Sequence, residues 1–344
     1  MSVDHERPTG TDRPTLNDVA AVAGVSAATV SRVINGYPHV RPQVRAAVQN
    51  AIRQTGYTPN NAARSLVTRR TDTIALVVSE SESHISAEPF FAALTRGASR
   101  AISATDRHLM LLMAHSAEER ERLERYLLGG HVDGAVLVSL HGLDPLPGTL
   151  LTAGVPVAVA GRPLGDPDVP YADVDNRGGA EQAVAHLLAT GRRQIATITA
   201  RQDMSSGIDR LRGFRDALQA AGIRPLLPLI ADGGMGQEEA QQAMAGLLET
   251  MPDLDAVFVA SDVMALGALH ALREAGAPVP DDVAVVGFDD SVLAAHTDPP
   301  LTTVRQPVEE LGGALVQLLD AQIQGKAVES PVILPTELVI RAST

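Results

Sequence analysis

The chain has 344 residues, a formal net charge of −13, 45% hydrophobic residues and 20% charged residues. At about 150 residues per domain, this bounds the protein to two globular units plus an appendage, and the apolar content excludes wholesale disorder. Cysteine is absent, which excludes disulfide scaffolds, thiol nucleophiles, thiolate zinc sites and iron–sulfur clusters. No apolar run approaches the roughly 18 residues of a membrane helix, and the opening MSVDHERPTGTDRP has no apolar signal core. A cytoplasmic location with no membrane partner is therefore expected.

The charge is segregated. Residues 1–70 hold nine arginines and four acids, whereas the remaining 274 residues hold 19 bases and 37 acids. An acidic body repels phosphate, while a short basic module is the electrostatic footprint of a nucleic-acid binder. A solvated helical arm is the plain alternative on charge alone.

After an expected disordered arm (1–14), Thr15 opens the run TLNDVAAVAGVSAATVSRVING. Thr15 and Asp18 have the spacing of a capping box, and Leu16, Val19, Ala20 and Ala23 form one apolar helical face. Gly24 stops that helix, since it takes positive φ without strain. Ser26 caps a second helix whose Val30, Val33 and Ile34 face inward. Two short helices across a tight turn make a helix-turn-helix. The outer face of the second helix then carries Ala27, Ala28, Thr29, Ser31 and Arg32. Small residues allow close approach to a groove, hydroxyls bond phosphates, and Arg32 matches guanine O6 and N7. A third helix is predicted from Pro42 to Thr55, ended by Gly56, which places a three-helix domain at 15–59. The linker 60–71 contains one short helix, 62–67, which Asn60 or Asn61 could cap and from which Leu66 projects. So short a helix is marginal alone and is expected to form against DNA or a partner chain.

From residue 72 the chain alternates strand and helix. Near-continuous apolar runs at 73–80, 108–115, 134–140, 155–161, 194–200, 255–261 and 283–290 read as strands. Stretches of helical period lie at 91–104, 117–128, 176–190, 207–221, 237–250 and 262–275. This pattern predicts parallel sheets covered on both faces, in an α/β body of two Rossmann-like subdomains. One lobe is expected at about 72–171 and 302–328, the other at about 172–301 and 329–344. Ligands in such folds sit at the carboxyl ends of the strands, in the crevice between lobes.

On the N-terminal run, GYTPNNAARSL, DVDNRGGA, VASDVMALGAL, VVGFDD and PPLTTVRQP, the chain resembles the LacI/GalR family of bacterial transcriptional regulators from Thr15 to its end. The resemblance implies a periplasmic-binding-protein-like body behind the helix-turn-helix domain. It implies that Ala27, Ala28 and Arg32 face base edges, and that Ser26, Thr29, Ser31, Asn35 and Tyr57 hold phosphates or the frame. Asn60, Arg64 and Leu66 of the hinge would join them, with Leu66 as a wedge that kinks the duplex. It further implies a homodimer on a palindromic double-stranded operator, with its dimer surface mainly along 73–105 and 117–140, acting as a nucleoid-associated repressor. A small-molecule effector, a sugar or related metabolite, is expected at Arg210 and Asp289, set across the cleft from each other. Ser261, Phe91 and the weaker candidates Ser79 and Ser206 complete that site. No cofactor or metal is expected.

Two departures bear on the effector. The triplet Ala160-Gly161-Arg162 lacks an acid common in the family, and the chain has no tryptophan to stack on a sugar. A solute-binding protein or a sugar-metabolising enzyme with a similar body is the alternative. Against an enzyme, there is no GxGxxG after a strand, no GxSxG, no HExxH and no P-loop. DGGMG at 232–236 reads as a plain strand–helix loop. DVDN at 173–176 reads as a strand-end cap rather than a magnesium site.

Overall fold

The computed structural model describes residues 14–58, 70–165, 168–224 and 227–344. The arm before Pro14 and the expected hinge helix with Asn60, Arg64 and Leu66 lie outside the described residues. Contacts divide the chain into a unit ending at Thr71 and a body beginning at Asp72.

The first unit consists of α1 (Leu16–Ala23), α2 (Ala27–Ile34) and α3 (Pro42–Thr55). Thr15 caps α1 by accepting the Asp18 amide on its side chain, while the Asp18 carboxylate takes the Thr15 amide at 2.7 Å. Such a cap contributes about 1 kcal/mol. Gly24 closes α1 at φ 66°, and Ser26 Oγ accepts the Thr29 amide at 3.2 Å to start α2. The helices bury Val19, Val30, Val33, Val48 and Ala51 against one another.

In the body, β1 (Thr73–Val78) leads through α4 (Glu82–Ala87) and α5 (Pro89–Ser103) to β2 (His108–Met113). Next come α6 (Ala117–Leu128), β3 (Gly134–Val138), α7 (Leu146–Thr152), β4 (Val157–Ala160) and β5 (Tyr171–Val174). The second run is α8 (Asn176–Ala189), β6 (Ile195–Thr199), α9 (Ser205–Ala220), β7 (Ile230–Asp232), α10 (Gln237–Thr250), β8 (Ala256–Val259), α11 (Asp262–Ala275) and β9 (Ala284–Asp289). The chain closes with β10 (Thr302–Arg305), α12 (Val308–Ile323), β11 (Val332–Leu334) and β12 (Glu337–Val339).

Two sheets result, ordered β11-β5-β4-β3-β1-β2 and β12-β10-β9-β8-β6-β7. The first is parallel throughout, and in the second β12 alone runs antiparallel, against β10. Each therefore repeats a doubly wound order with its switch point beside its first strand. Central strands are apolar on both faces because helices cover both. β2 departs from that expectation: it is an edge strand, and Leu111 and Met113 are each 49% exposed.

The lobe boundaries differ from the sequence expectation in three short strands. β5 and β11 join the first sheet and β10 the second, where 172–174 and 332–334 were expected in the second lobe and 302–305 in the first. Each crossing between lobes comes after the carboxyl end of a strand, at Asp175, at Gln306–Pro307 and at Pro335–Thr336, not before the strand begins. Strands of three or four residues carry too little periodicity to be assigned a side from sequence. α12 does pack in the first lobe, on α5. Their backbones touch at glycines, where a Cβ on Gly97 would lie 1.9 Å from the Glu309 carbonyl oxygen and one on Gly312 2.3 Å from that of Leu94. Among the described residues, no helix is long and apolar enough to cross a membrane.

Candidate functional site

The three crossings bring the carboxyl ends of both sheets to the two sides of one cleft. An inner cavity of about 160 Å³ lies there, walled by Phe91 of the first lobe, by Ser206, Arg210, Ser261 and Asp289 of the second, and by Asp173, Asn176 and Gln306 beside the crossings.

Arg210 is the centre of the second-lobe wall. It sits on α9, is 8% exposed, and its guanidinium carbon lies 3.8 Å from the centroid of the Phe288 ring. Nε donates to Asn176 Oδ1 at 2.9 Å, and Nη1 donates to the Ala260 carbonyl and lies 3.5 Å from Asp289 Oδ1. Asp289 ends β9 at φ 115°, a conformation that non-glycine residues rarely hold. The Gln306 side-chain amide donates to its carboxylate. Burial pushes Asp289 up to about 6, against the pull of Arg210. Behind it Asp262 is buried, accepting Thr303 Oγ1 at 2.6 Å and the Ser291 amide at 2.7 Å. Burial, with Asp289 adding repulsion, pushes Asp262 up to about 8.

The expectation that Arg210 and Asp289 oppose each other across the cleft is corrected. α9 and β9 both belong to the second lobe, so the two groups stand side by side as a pair. What the first lobe presents to them is Glu88, at the start of α5, and Phe91. Glu88 Oε1 is buried with no hydrogen-bond partner among the described residues. Burial, reinforced by Asp289, pushes its carboxyl up to about 8. Three arginines line the cavity, Arg162, Arg201 and Arg210, each paired with an aspartate, Asp209, Asp203 and Asp289 in turn, while burial holds Glu88 toward its neutral form. That inventory suits a neutral ligand bearing hydroxyls, which donate to and accept from such groups.

Of the other expected contacts, Phe91 and Ser206 line the cavity. Ser261 lines it too, while its Oγ accepts the Met264 amide at 3.2 Å to cap α11. Ser79 does not line it: it lies buried beyond β1, with its amide on the Val138 carbonyl at 3.2 Å. Sequence reasoning missed Glu88, Asp173, Asn176 and Gln306. DVDN was read as a helix cap, and Asp175 is that cap, accepting the Gly178 amide at 2.8 Å. The flanking Asp173 and Asn176 turn to the cavity and bond each other at 2.9 Å. The usable signal for Glu88 was an acid one proline ahead of the apolar pair Phe90-Phe91.

The lobes also touch each other beside the cavity. Arg162, after β4, reaches Asp209 of α9 at 2.7 Å. His141, after β3, bonds Glu80 of its own lobe at 2.8 Å and lies 3.4 Å from Asp203 of the other, whose carbonyl accepts the Gly142 amide at 2.7 Å.

In the N-terminal unit, Ser26, Ala28 and Arg32 are exposed, and Thr29, Ser31 and Asn35 are half-buried. Asn35 donates to Ser31 Oγ at 3.3 Å. Ala27 and Tyr57 pack partly against the three-helix core, so part of each surface supports the unit itself.

Comparison with known proteins accords with this architecture. Residues 15–60 match the bacterial regulatory proteins of the lacI family, and residues 184–344 match the periplasmic binding protein-like domain. HTH-type transcriptional regulator CelR of Thermobifida fusca is 51% identical over 335 residues, covering 96% of this chain and 98% of that one. Catabolite control protein A of Priestia megaterium is 31% identical over 333 residues, 96% of this chain and 99% of its own. Among solved structures, a transcriptional regulator CelR–cellobiose complex has 49% identity and a TM-score of 0.78 over 96% of this chain and 100% of that one. The lac repressor dimer bound to operator and the anti-inducer ONPF has 28% identity and a TM-score of 0.84 over 96% and 99%. With a helix-turn-helix domain ahead of a two-lobed ligand-binding body, and full-length relatives that are regulators and not enzymes, the chain belongs to the lacI family and is a DNA-binding transcriptional regulator.

Proposed function

We propose that this protein is a homodimeric repressor that acts at the nucleoid, binds an inverted-repeat operator, and is released from it by a neutral disaccharide of the cellobiose class. The observation that carries the effector is the pairing of two facts. A regulator 49% identical across 96% of this chain forms a complex with cellobiose, and the cavity here holds an Arg–Asp pair and the buried, unpartnered Oε1 of Glu88. Hydroxyls satisfy both sides of such a cavity, whereas an anion finds the lining arginines already paired, Arg162 with Asp209, Arg201 with Asp203 and Arg210 with Asp289.

On DNA, Arg32, Ala28 and Ala27 read base edges, while Ser26, Thr29, Ser31, Asn35 and Tyr57 hold the backbone. Asn60, Arg64 and Leu66 complete the contact through the hinge. Two copies are needed because one helix reads too few bases. The exposed apolar residues of β2, Leu111 and Met113, with the neighbouring first-lobe surface, supply the dimer contact. An electrophoretic shift with inverted-repeat promoter fragments at low salt tests the reading. A retained band that cellobiose dissolves is expected, and Arg32→Ala weakens it by about 1–3 kcal/mol. No retained band, or a band indifferent to cellobiose, overturns it.

A further inference from the structure

The inner cavity, at about 160 Å³, falls below the roughly 300–1,000 Å³ of ordinary ligand pockets. A second, wider and more open compartment of about 730 Å³ adjoins it, and His84, Arg201 and Met235 form walls of both. A ligand of more than one ring that fills the inner cavity therefore has one continuous place to extend. The unpartnered buried Oε1 of Glu88 on the inner wall independently marks the inner cavity as built around a ligand.

The outer compartment has a different chemistry. Glu80, Asp232 and Glu239 line it. Asp232 uses one oxygen on the Gly234 amide at 3.0 Å, and Glu239 folds back over Gly236. The arginine that faces this space, Arg201, is taken up by Asp203 at 2.9 Å. The compartment is thus rich in acceptors and poor in unspent cationic donors. Hydroxyl donors complement it, and phosphate or carboxylate ligands are repelled. At the threshold, the His84 ring stands edge-on to Phe91, with centroids 5.8 Å apart at 81°. Burial lowers its pKa, which leaves an uncharged ring to pack against an apolar sugar face in a chain without tryptophan.

We propose that this outer compartment is a second sugar subsite, holding the distal ring of a neutral oligosaccharide whose first ring occupies the inner cavity. The assignment rests on the sugar reading given above, and the test separates the two. Full-length protein is titrated calorimetrically with D-glucose, cellobiose and cellotriose, with competition against cellobiose measuring glucose where direct heats are silent. Cellobiose is expected to bind at least about a hundredfold tighter than glucose. Asp232→Asn and Glu239→Gln, both at the surface and checked for an unchanged melting temperature, each weaken cellobiose about tenfold and leave glucose unmoved. Equal affinities for glucose and cellobiose overturn the second subsite and leave the sugar reading standing. Variants that shift both ligands together or neither overturn it as well, as does glucose that neither binds nor competes while cellobiose binds. Absence of binding by all three sugars sinks the sugar reading and the subsite with it.

Discussion

Glu88 concentrates the physical tension of the cavity. Its carboxyl is buried beside Asp289 and Asp262, with one oxygen lacking a partner. Folding raises its pKa from an ordinary glutamate value to about 8, so between those limits the folded protein holds a proton that the unfolded chain releases. By linkage, stability must then fall as pH climbs from the ordinary glutamate value, about 4.3, to about 8, and flatten above it. Glu88→Gln keeps the shape and removes the titration. Urea unfolding of the ligand-free body across that window should give a shallower pH slope for the variant, with the two proteins nearly equal at its acid end. Equal slopes would assign the pH response to other groups. Arg210 stands in contrast, since an arginine stays charged even when buried, and the Phe288 face, the Asn176 side chain and the Ala260 carbonyl supply what water would have given it.

At the scale of elements, packing between α5 and α12 welds a late segment of the chain into the first lobe. The contact needs the absence of a side chain at Gly97 and Gly312, where backbone carbonyl oxygens lie inside the volume of any Cβ. Arg96 reaches Glu309 at 3.0 Å, and Arg100 and Arg107 pair with Glu309 and Asp320, all across this seam. The two exposed pairs on Glu309 contribute little individually, whereas forcing the helices apart disrupts a shared core of Leu94, Ala98, Leu311 and Leu315. Gly312→Val should therefore destabilise the body by about 3 kcal/mol or more, as overpacking combined with backbone displacement; a thermal melt within a degree of the parent would refute the close approach. Neither glycine could be picked out from sequence, because a contact between residues more than two hundred positions apart leaves no local periodicity. Most strands and helices of the two lobes were legible, since each lies in a run of six or more residues of consistent pattern or has a clear cap such as Ser116 with Glu119, while the short β7, α4 and α7 were not. β5, β10 and β11 were placed on the wrong side for the converse reason. Of the cavity, Arg210 and Asp289 came from motif resemblance, while their shared lobe, and Glu88 opposite them, required the topology.

For the whole molecule, function turns on how strongly the two lobes hold together when the effector is absent. Any affinity the lobes have for each other shifts the population that the effector selects, and the coupling to DNA is reciprocal. The His141 contact is a titratable part of that affinity. Its imidazole faces Glu80 and Asp203 as acids and Arg201 and His84 as opposing groups, and the hydrogen bond to Glu80 does most to raise its pKa above the ordinary value, with Asp203 adding to it. A raised histidine pKa means that its charged form favours the arrangement seen here. The contribution is full below the ordinary value of about 6.5 and is lost as pH rises through the higher pKa of the closed form. Only the Asp203 side of the contact crosses between lobes, so Asp203→Asn removes the cross-lobe charge and leaves the Glu80 bond in place. For the parent protein, effector affinity should fall as pH rises from about 6.5 to 8. Part of that fall belongs to Glu88, which loses its proton in the same direction. Asp203→Asn should flatten the histidine part, with binding weakened several-fold at pH 6 and little changed at pH 8, and Asp203→Asn combined with Glu88→Gln should flatten the fall further, leaving the response of Asp289 and Asp262. Arg162→Ala, which breaks the bridge to Asp209 and leaves the histidine contact in place, supplies the control: it should weaken binding by a similar factor at every pH. If Asp203→Asn shifted affinity uniformly in the manner of Arg162→Ala, the histidine would be a passive strut, and closure would owe its pH response to the cavity alone.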